Sequence, residues 1–434
     1  MKFDNKIIRL AVASALAATA LPVTFSAHAG GFGIATQSGS GTGNAFAGGA
    51  AVAEDASVAW SNPAAMTALP TGTQVTFALH ALKPSFKYQD GGSTGPGTFN
   101  RAGAFDSSDS GGWNFVPNGF FVTSITPALR AGFALNVPFG LKTGYDYGWR
   151  GSLTALDSKI TTVNLNPSLA YKVHEMFSIG FGFSAQRIEA ELSSTNNPNP
   201  AAGSVTKLTA SDWGYGYNIG LTIQPTESTR IGLHYRSPIR YNLHGSALFS
   251  STPIANGGVI ADLKVPQSAS LSLLQKVGSS VELMGDVTYT GWDSVQQLAV
   301  VRTTSTPVPG QGAGSVLTNL PFEWSNTWRY GLGANYRVND AVKLRVGVAY
   351  DQTPTKDATR TPRLPDQNRT WLAFGVQYKP TKQGTLELAY AHEFVKDAQV
   401  NVTAPGQTTC AAGCLTGTFK DKADIISLQY SHKF

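Results

Sequence analysis

Between Trp328 and Val338 every second residue is apolar. Trp328, Tyr330, Leu332, Ala334, Tyr336 and Val338 share one face, and Arg329, Gly331, Gly333, Asn335 and Arg337 share the other. Alternation with a period of two describes a strand with one face out of water. It recurs at Val342/Leu344/Val346/Val348/Tyr350, at Leu372/Phe374/Val376/Tyr378 and at Trp213/Tyr215/Tyr217/Ile219/Leu221/Ile223. The apolar faces often end in Tyr or Trp, as a girdle at a lipid–water boundary does. A two-layer sandwich alternates as well, so the loops must decide. Strands are expected near 73–88, 114–124, 127–143, 159–173, 177–192, 211–224, 229–246, 260–275, 280–300, 322–337, 341–353, 368–379, 384–401 and 417–434, fourteen in all. Short connections at 124–128, 172–177, 224–229, 276–280, 337–342 and 379–384 alternate with longer ones rich in Gly, Ser, Thr, Asn and Pro. One short side, one long side and an even count describe an all-β, antiparallel transmembrane barrel of the outer membrane, with both ends in the periplasm.

The beginning of the chain agrees with export. Lys2, Lys6 and Arg9 precede a short apolar run, Leu10 to Leu21, and Ala27-His28-Ala29 is a small-x-small cleavage site. Residues 1–29 therefore read as a signal peptide. No later run approaches the ~18 apolar residues of a membrane helix. Charged residues make up only 14% of the chain, and the mild positive balance gives no reason to expect nucleic acid. Cys410 and Cys414 are the only cysteines, and in an exported protein a disulfide between them is the expected state. No metal or cofactor motif occurs. His80, His174, His234, His244 and His392 are scattered, without an acid–base or nucleophile pattern, so no enzyme is expected.

Fourteen strands lie between the roughly eight that side chains can fill and the sixteen or more of open porins. Residues 30–70, small, Gly/Ala-rich and without alternation, are available to fill the lumen as a hatch, leaving 71–434 for the barrel. The GxGxA within this stretch lacks the preceding strand that a nucleotide loop needs. Its longer pattern, G-x-G-x-A-F-A-G-x-A-x-A-x-D-A-S-x-A-x-x-N-P-A-A-M, resembles the amino-terminal hatch of the outer-membrane long-chain fatty acid transporter family, which includes the toluene and xylene uptake proteins. PFGLKTGYDYGWRG (138–151), VNLNPSLAYKV (163–173), GLHYRSPIRYNLHG (232–245), WRYGLGANYR (328–337) and RTPRLPDQNRTWLAFGVQY (360–378) are similar to the same family. The resemblance implies a fourteen-stranded barrel with an internal hatch, passive uptake of hydrophobic molecules, and a lateral exit at a kinked third strand.

The residues speak to that exit independently. Pro138 cannot donate a ladder bond and Gly140 weakens a strand, so Pro138, Phe139 and Gly140 should bend the third strand inward. The bend is tolerable at lipid depth only where hatch residues or water satisfy the freed backbone; in an outer loop the same proline would be unremarkable. Asn62, Pro63 and Ala64 should form a rigid corner near the barrel floor. By resemblance, Gly30, Gly31 and Phe32 reach the ligand pocket. The family's carboxylate-binding lysine is replaced here by Ser325, and its arginine by Glu189, with Arg187 two residues away and Arg329 on the lumenal parity. Those four residues leave fatty acid and neutral hydrocarbon both open. The expected surroundings are outer-membrane lipid and lipopolysaccharide, with the terminal Phe434 recognised by the barrel-assembly machinery and a single chain forming the barrel. A diffusion porin would need no hatch; a surface adhesin or phage-receptor role would rest on the outer loops.

Overall fold

The computed structural model describes residues 30–197 and 203–434; the leader read at 1–29 lies outside them. Twenty antiparallel segments form one sheet. Its first strand, Thr73–Asp90, pairs with its last, Cys414–Lys433, from Gln74↔Lys433 to Asp90↔Gly417. The sheet is thus a closed barrel of fourteen strands, six of them broken into two segments each. Closure leaves no free edge at the seam, as a lipid surround demands. Through the membrane the wall is apolar outside and polar inside. Phe181, Ile219, Leu332, Phe374 and Leu428 are exposed, whereas Asn166, Gln186, Asn218, Arg345 and Gln429 are buried. Cys410 and Cys414 are joined in a disulfide.

Two boundaries differ from expectation by six residues: the tenth strand begins at Val316 and not at 322, and the sixth begins early as well. The fifth strand runs Phe177–Thr195 and the sixth Val205–Ile223, so half of the stretch left between the expected strands, 193–210, is paired strand. Above the membrane both faces of a hairpin can be polar, and the period-2 signal then vanishes while the backbone ladder continues.

Four neighbouring strands break at the outer side of the membrane. The seventh splits into Thr229–Arg236 and Ile239–Phe249, the eighth into Gly257–Val265 and Ser268–Val277. The ninth splits into Val281–Thr290 and Gln297–Arg302, the tenth into Val316–Pro321 and Thr327–Arg337. The first two breaks invert the wall. In the seventh strand Leu233 faces lipid, but beyond Ser237-Pro238 the residues of the same parity, Ile239, Tyr241 and Leu243, are buried in the lumen. In the eighth, Leu271 and Leu273 face out, and Val259, Leu263 and Val265 face in across Pro266-Gln267. Lipid surrounds the lower part and water the upper. An apolar face must therefore point outward below and inward above, and the two prolines turn it. The upper lumen holds a large apolar cluster as a result.

Residues 30–70 run through the lumen and touch the wall on all sides. The Gly39 amide donates to Gln429 Oε1 at 2.8 Å on the last strand, and Ala50 to Ser272 Oγ at 3.1 Å on the eighth. Asn118 Nδ2 of the second strand, Asn114–Ser124, donates to the Thr36 and Gln37 carbonyls at 3.1 and 3.0 Å. Two glycines show how closely backbones approach. A Cβ on Gly347 would stand 2.1 Å from Asn44 C, and one on Gly220 1.9 Å from Asn62 Oδ1.

Candidate hydrophobic site and wall opening

The third strand is broken where the sequence placed Pro138 and Gly140. Its segments are Leu129–Asn136 and Gly140–Gly144, and the residues between them turn inward to meet the amino-terminal segment. Ile34 N donates to the Pro138 carbonyl at 2.8 Å and Gly140 N to the Phe32 carbonyl at 2.9 Å, with an antiparallel bridge Gly33↔Phe139 between them. The remaining groups are also satisfied. Gln37 Nε2 donates to the Val137 carbonyl at 2.9 Å, Val137 N to Asn118 Oδ1 at 3.3 Å, and Phe139 N to Thr162 Oγ1 at 3.0 Å. Thr162 in turn donates to the Phe139 carbonyl at 2.6 Å, and Asn136 Nδ2 to Gln37 Oε1 at 2.6 Å. The break thus costs no buried unsatisfied backbone group.

The wall is left incomplete. The second strand pairs with the third only from Gly119↔Leu135 to Ser124↔Arg130. Asn114 to Asn118 pair with the first strand alone. Pro117 lies in this one-sided stretch, where a proline is at home. Trp113 and Phe115 are exposed beside it. Higher up, Gly144 N donates to the Ser110 carbonyl at 3.0 Å and closes the gap above.

Phe32 lies immediately inside. It is 3% exposed, and its ring centroid stands 5.7 Å from Phe139, 5.1 Å from Trp292 and 5.5 Å from Trp324. These three neighbours come from the breaks in the third, ninth and tenth strands, so each break turns an aromatic ring into the lumen. Gly30 N and Gly31 N donate to Asp351 Oδ2 at 3.1 Å and Asp366 Oδ2 at 2.8 Å, which fixes the tip behind Phe32. Below, a cavity of about 310 Å³ touches Pro138, Phe139 and Trp292 and descends past Ser268, Ser270, Thr288, Arg236 and Arg329.

The floor is held by charge. Glu54 meets Arg345 Nη2 and lies 2.8 Å from Lys343 Nζ; Glu387 lies 2.7 Å from Arg345, and Glu282 3.1 Å from Lys343. Burial disfavours the ionised Glu54 carboxyl, but Arg345 and Lys343 outweigh burial and hold it well below the usual carboxylate range. Asn62 caps the turn Pro63–Ala68: its Oδ1 accepts from Ala64 N at 3.1 Å, and its Nδ2 donates to Ala50 O at 2.7 Å and Leu221 O at 3.2 Å. The Asn-Pro-Ala corner packs against the sixth strand at Leu221, close to the 224–229 turn.

The four polar ligand candidates divide. Arg187 and Glu189 face outward, not into the lumen, paired with each other at 3.0 Å. Gly182, Ser184, Gln186 and Ile188 take the inward positions of that strand, and Arg187 lies opposite Trp213 at the outer boundary. A gapless match to the family located the strand but not its inner face. Ser325 is exposed, and its neighbour Trp324 points inward instead. Arg329 alone faces the cavity. Its Nη2 donates to the Ala45 carbonyl, and its Nη1 lies 3.6 Å from Asp286. Trp292 and Trp324 had not been singled out from the sequence. Gly291 before Trp292, and Pro321 shortly before Trp324, are the breaker signals that could have found them.

The model of the outer membrane protein transport family described as OMPP1/FadL/TodX matches residues 20–434. The chain belongs to this family. The long-chain fatty acid transport protein of Salmonella typhi is 27% identical to this FadL-family chain, over 89% of it and 93% of the relative. The crystal structure of a Pseudomonas aeruginosa FadL homologue superposes with a TM-score of 0.83 at 26% identity, covering 93% of this chain and all of the other. The Ralstonia pickettii toluene transporter TbuX shares the fold, with a TM-score of 0.66 at 20% identity over 90% and 98% of the two chains. The FadL-family assignment makes the chain an outer-membrane transport barrel, and the wall patterning agrees with a barrel in lipid.

Proposed function

We propose that the barrel is a passive uptake channel for hydrophobic molecules, fatty acids or hydrocarbons, which leave sideways through the wall. The observation that carries this reading is the shared ladder between the amino-terminal hatch and the broken third strand. It joins Phe32 and its aromatic neighbours to Pro138–Gly140, the stretch whose inward turn leaves the Asn114–Asn118 edge without a second partner. A solute entering from outside meets the apolar upper lumen and takes the place of the Phe32 ring. Withdrawal of the hatch tip then frees Pro138 to Gly140 and connects that place with the gap. An apolar solute gains roughly 0.8 kcal/mol per CH₂ by staying out of water, so a sideways route into lipid is downhill. The ion-paired floor bars the aqueous route below. Such a channel has no catalytic step. A diffusion porin fits less well, because the hatch fills the bore.

The head group of the solute bears on Arg329, the one of the four polar candidates that faces the cavity. A fatty carboxylate would have to draw this guanidinium away from Ala45 and Asp286; a neutral hydrocarbon would leave it in place. The test is uptake by cells lacking their own carrier, with oleate and toluene compared, before and after an Asn118→Cys/Val137→Cys disulfide seals the gap. Uptake should be lost on sealing and return with reductant. Sealed protein that transports normally would refute the lateral route.

A further inference from the structure

The outer surface carries one cluster of charge that the transport reading does not use. On the first strand Lys83 and Lys87, and on the last Lys420 and Lys422, are all exposed and point away from the lumen. Lys87 and Lys420 are direct cross-strand partners, and Ser85 pairs with Lys422 between them. Like charges directly opposite on a ladder destabilise it. Among the described residues none of the four lysine side chains is in an ion pair or hydrogen bond, although Lys83 stands directly opposite Asp424 on the ladder; Lys83 Nζ overlies the Trp113 ring at 5.4 Å.

The facing acids are few: exposed Asp397 lies in the neighbouring strand's break beside Lys420, and the other two are occupied. Asp424 accepts from Tyr390 OH at 2.6 Å and lies 2.8 Å from His392 Nδ1. Asp109 accepts from Ser85 Oγ and from Phe86 N at 2.8 Å. The contrast with the far side of the barrel is direct. There, charges beyond the outer aromatic residues are paired, Arg187 with Glu189 at 3.0 Å and Lys207 with Glu191 at 2.7 Å.

Position identifies the missing partner. Below the cluster, the outward residues of the same two strands are Phe77 and Leu79, and Ile426, Leu428 and Tyr430, all exposed apolar side chains. The lysines therefore begin where the hydrocarbon band ends, on the outer side. A ligand there must carry clustered negative charge immediately above acyl chains. The geometry points to a phosphorylated glycolipid of the outer leaflet, lipid A, its phosphates seated among Lys83, Lys87, Lys420 and Lys422 and its acyl chains against Phe77, Leu79 and Ile426. The first strand is also the second strand's one remaining partner along Asn114–Asn118, so this lipid would stand beside the wall opening.

The test uses the full-length purified barrel in detergent, with bound lipid read by native mass spectrometry. Three probes are compared: lipid A, the same glycolipid stripped of its phosphates, and inorganic phosphate. Lipid A should bind at one site. Lys87→Ser/Lys420→Ser should weaken it roughly thirtyfold, from a several-fold contribution by each lysine near an anionic surface. Lys207→Ser, on the paired far side, should bind as the parent does. Tight binding of the stripped glycolipid would overturn the proposal, as would equal retention by the double variant. Displacement of lipid A by millimolar inorganic phosphate would reduce the cluster to a general anion site and overturn it equally. Heat-modifiable gel mobility verifies that each variant is folded.

Discussion

Truncating Phe32 to Ala tests whether the hatch tip occupies the place meant for cargo. The ring is almost wholly buried against Phe139, Trp292 and Trp324. Removing a buried aromatic ring of this kind costs about 3–5 kcal/mol. The amide bonds of Gly30, Gly31, Ile34 and Gly140 remain, so the docked tip loses packing but not its register. About 1.4 kcal/mol is a factor of ten; the docked form should lose roughly two to three and a half orders of magnitude in its advantage over the withdrawn form. A solute that had to displace the ring no longer does, and its apparent affinity rises as the competent fraction rises. The assay is equilibrium binding of diphenylhexatriene to the purified barrel, with energy transfer from tryptophan as the signal. Phe32→Ala should bind at least tenfold more tightly than the parent. Phe32→Trp, which refills the space, should bind no more tightly than the parent. Binding by Phe32→Ala within twofold of the parent, in a protein of normal gel mobility, would refute the idea that ring and solute compete for one place.

Gly347→Val would drive a side chain into the Asn44 backbone, lifting the hatch from the wall; planar-bilayer recordings should show an added conductance that the parent lacks. Glu54→Gln removes one buried acid from Arg345 and Lys343, at a cost of about 3–5 kcal/mol, and should open a leak to small polar antibiotics in a sensitivity assay. Because the Glu54 carboxyl is held below its ordinary value, its contribution is complete above that value, 4.5, and is lost only as pH falls through the depressed folded value. Conductance should accordingly be flat from pH 7 to 4.5 and rise only in stronger acid. Arg187→Gln changes an outward, solvent-screened pair and should leave oleate and toluene uptake within twofold of the parent.

The barrel was legible because alternation and loop length are set by lipid on one side of each strand. The break at Pro138 was legible for a related reason: proline and glycine within three residues contradict a ladder. The same breaker chemistry at Pro238, Pro266 and Gly291 passed unread, since those strands still alternate on either side. Ile231, Leu233, Ile239 and Tyr241 share one parity throughout. Alternation says which residues share a face, but not which face looks inward, and a two-residue break can exchange them. Arg187 and Glu189 were misplaced for a different reason: a gapless family match put them in the lumen, although exposed Ile179, Phe181 and Phe183 share their parity on an unbroken strand. Trp292 and Trp324 escaped because they lie in the breaks themselves, where no periodicity exists to mark them.

The ladder between Phe32–Ile34 and Pro138–Gly140 makes stopper and staircase a single piece of joinery. Pull out residues 30–70, and the Val137 and Pro138 carbonyls and the Gly140 amide lose the partners they have, each at a cost of several kcal/mol where water is scarce. An emptied cylinder of this sequence would then be a weakened vessel more than a clean pipe, short of protein in the membrane before it is leaky. The same few bonds thus hold the leading segment and the third strand in place together.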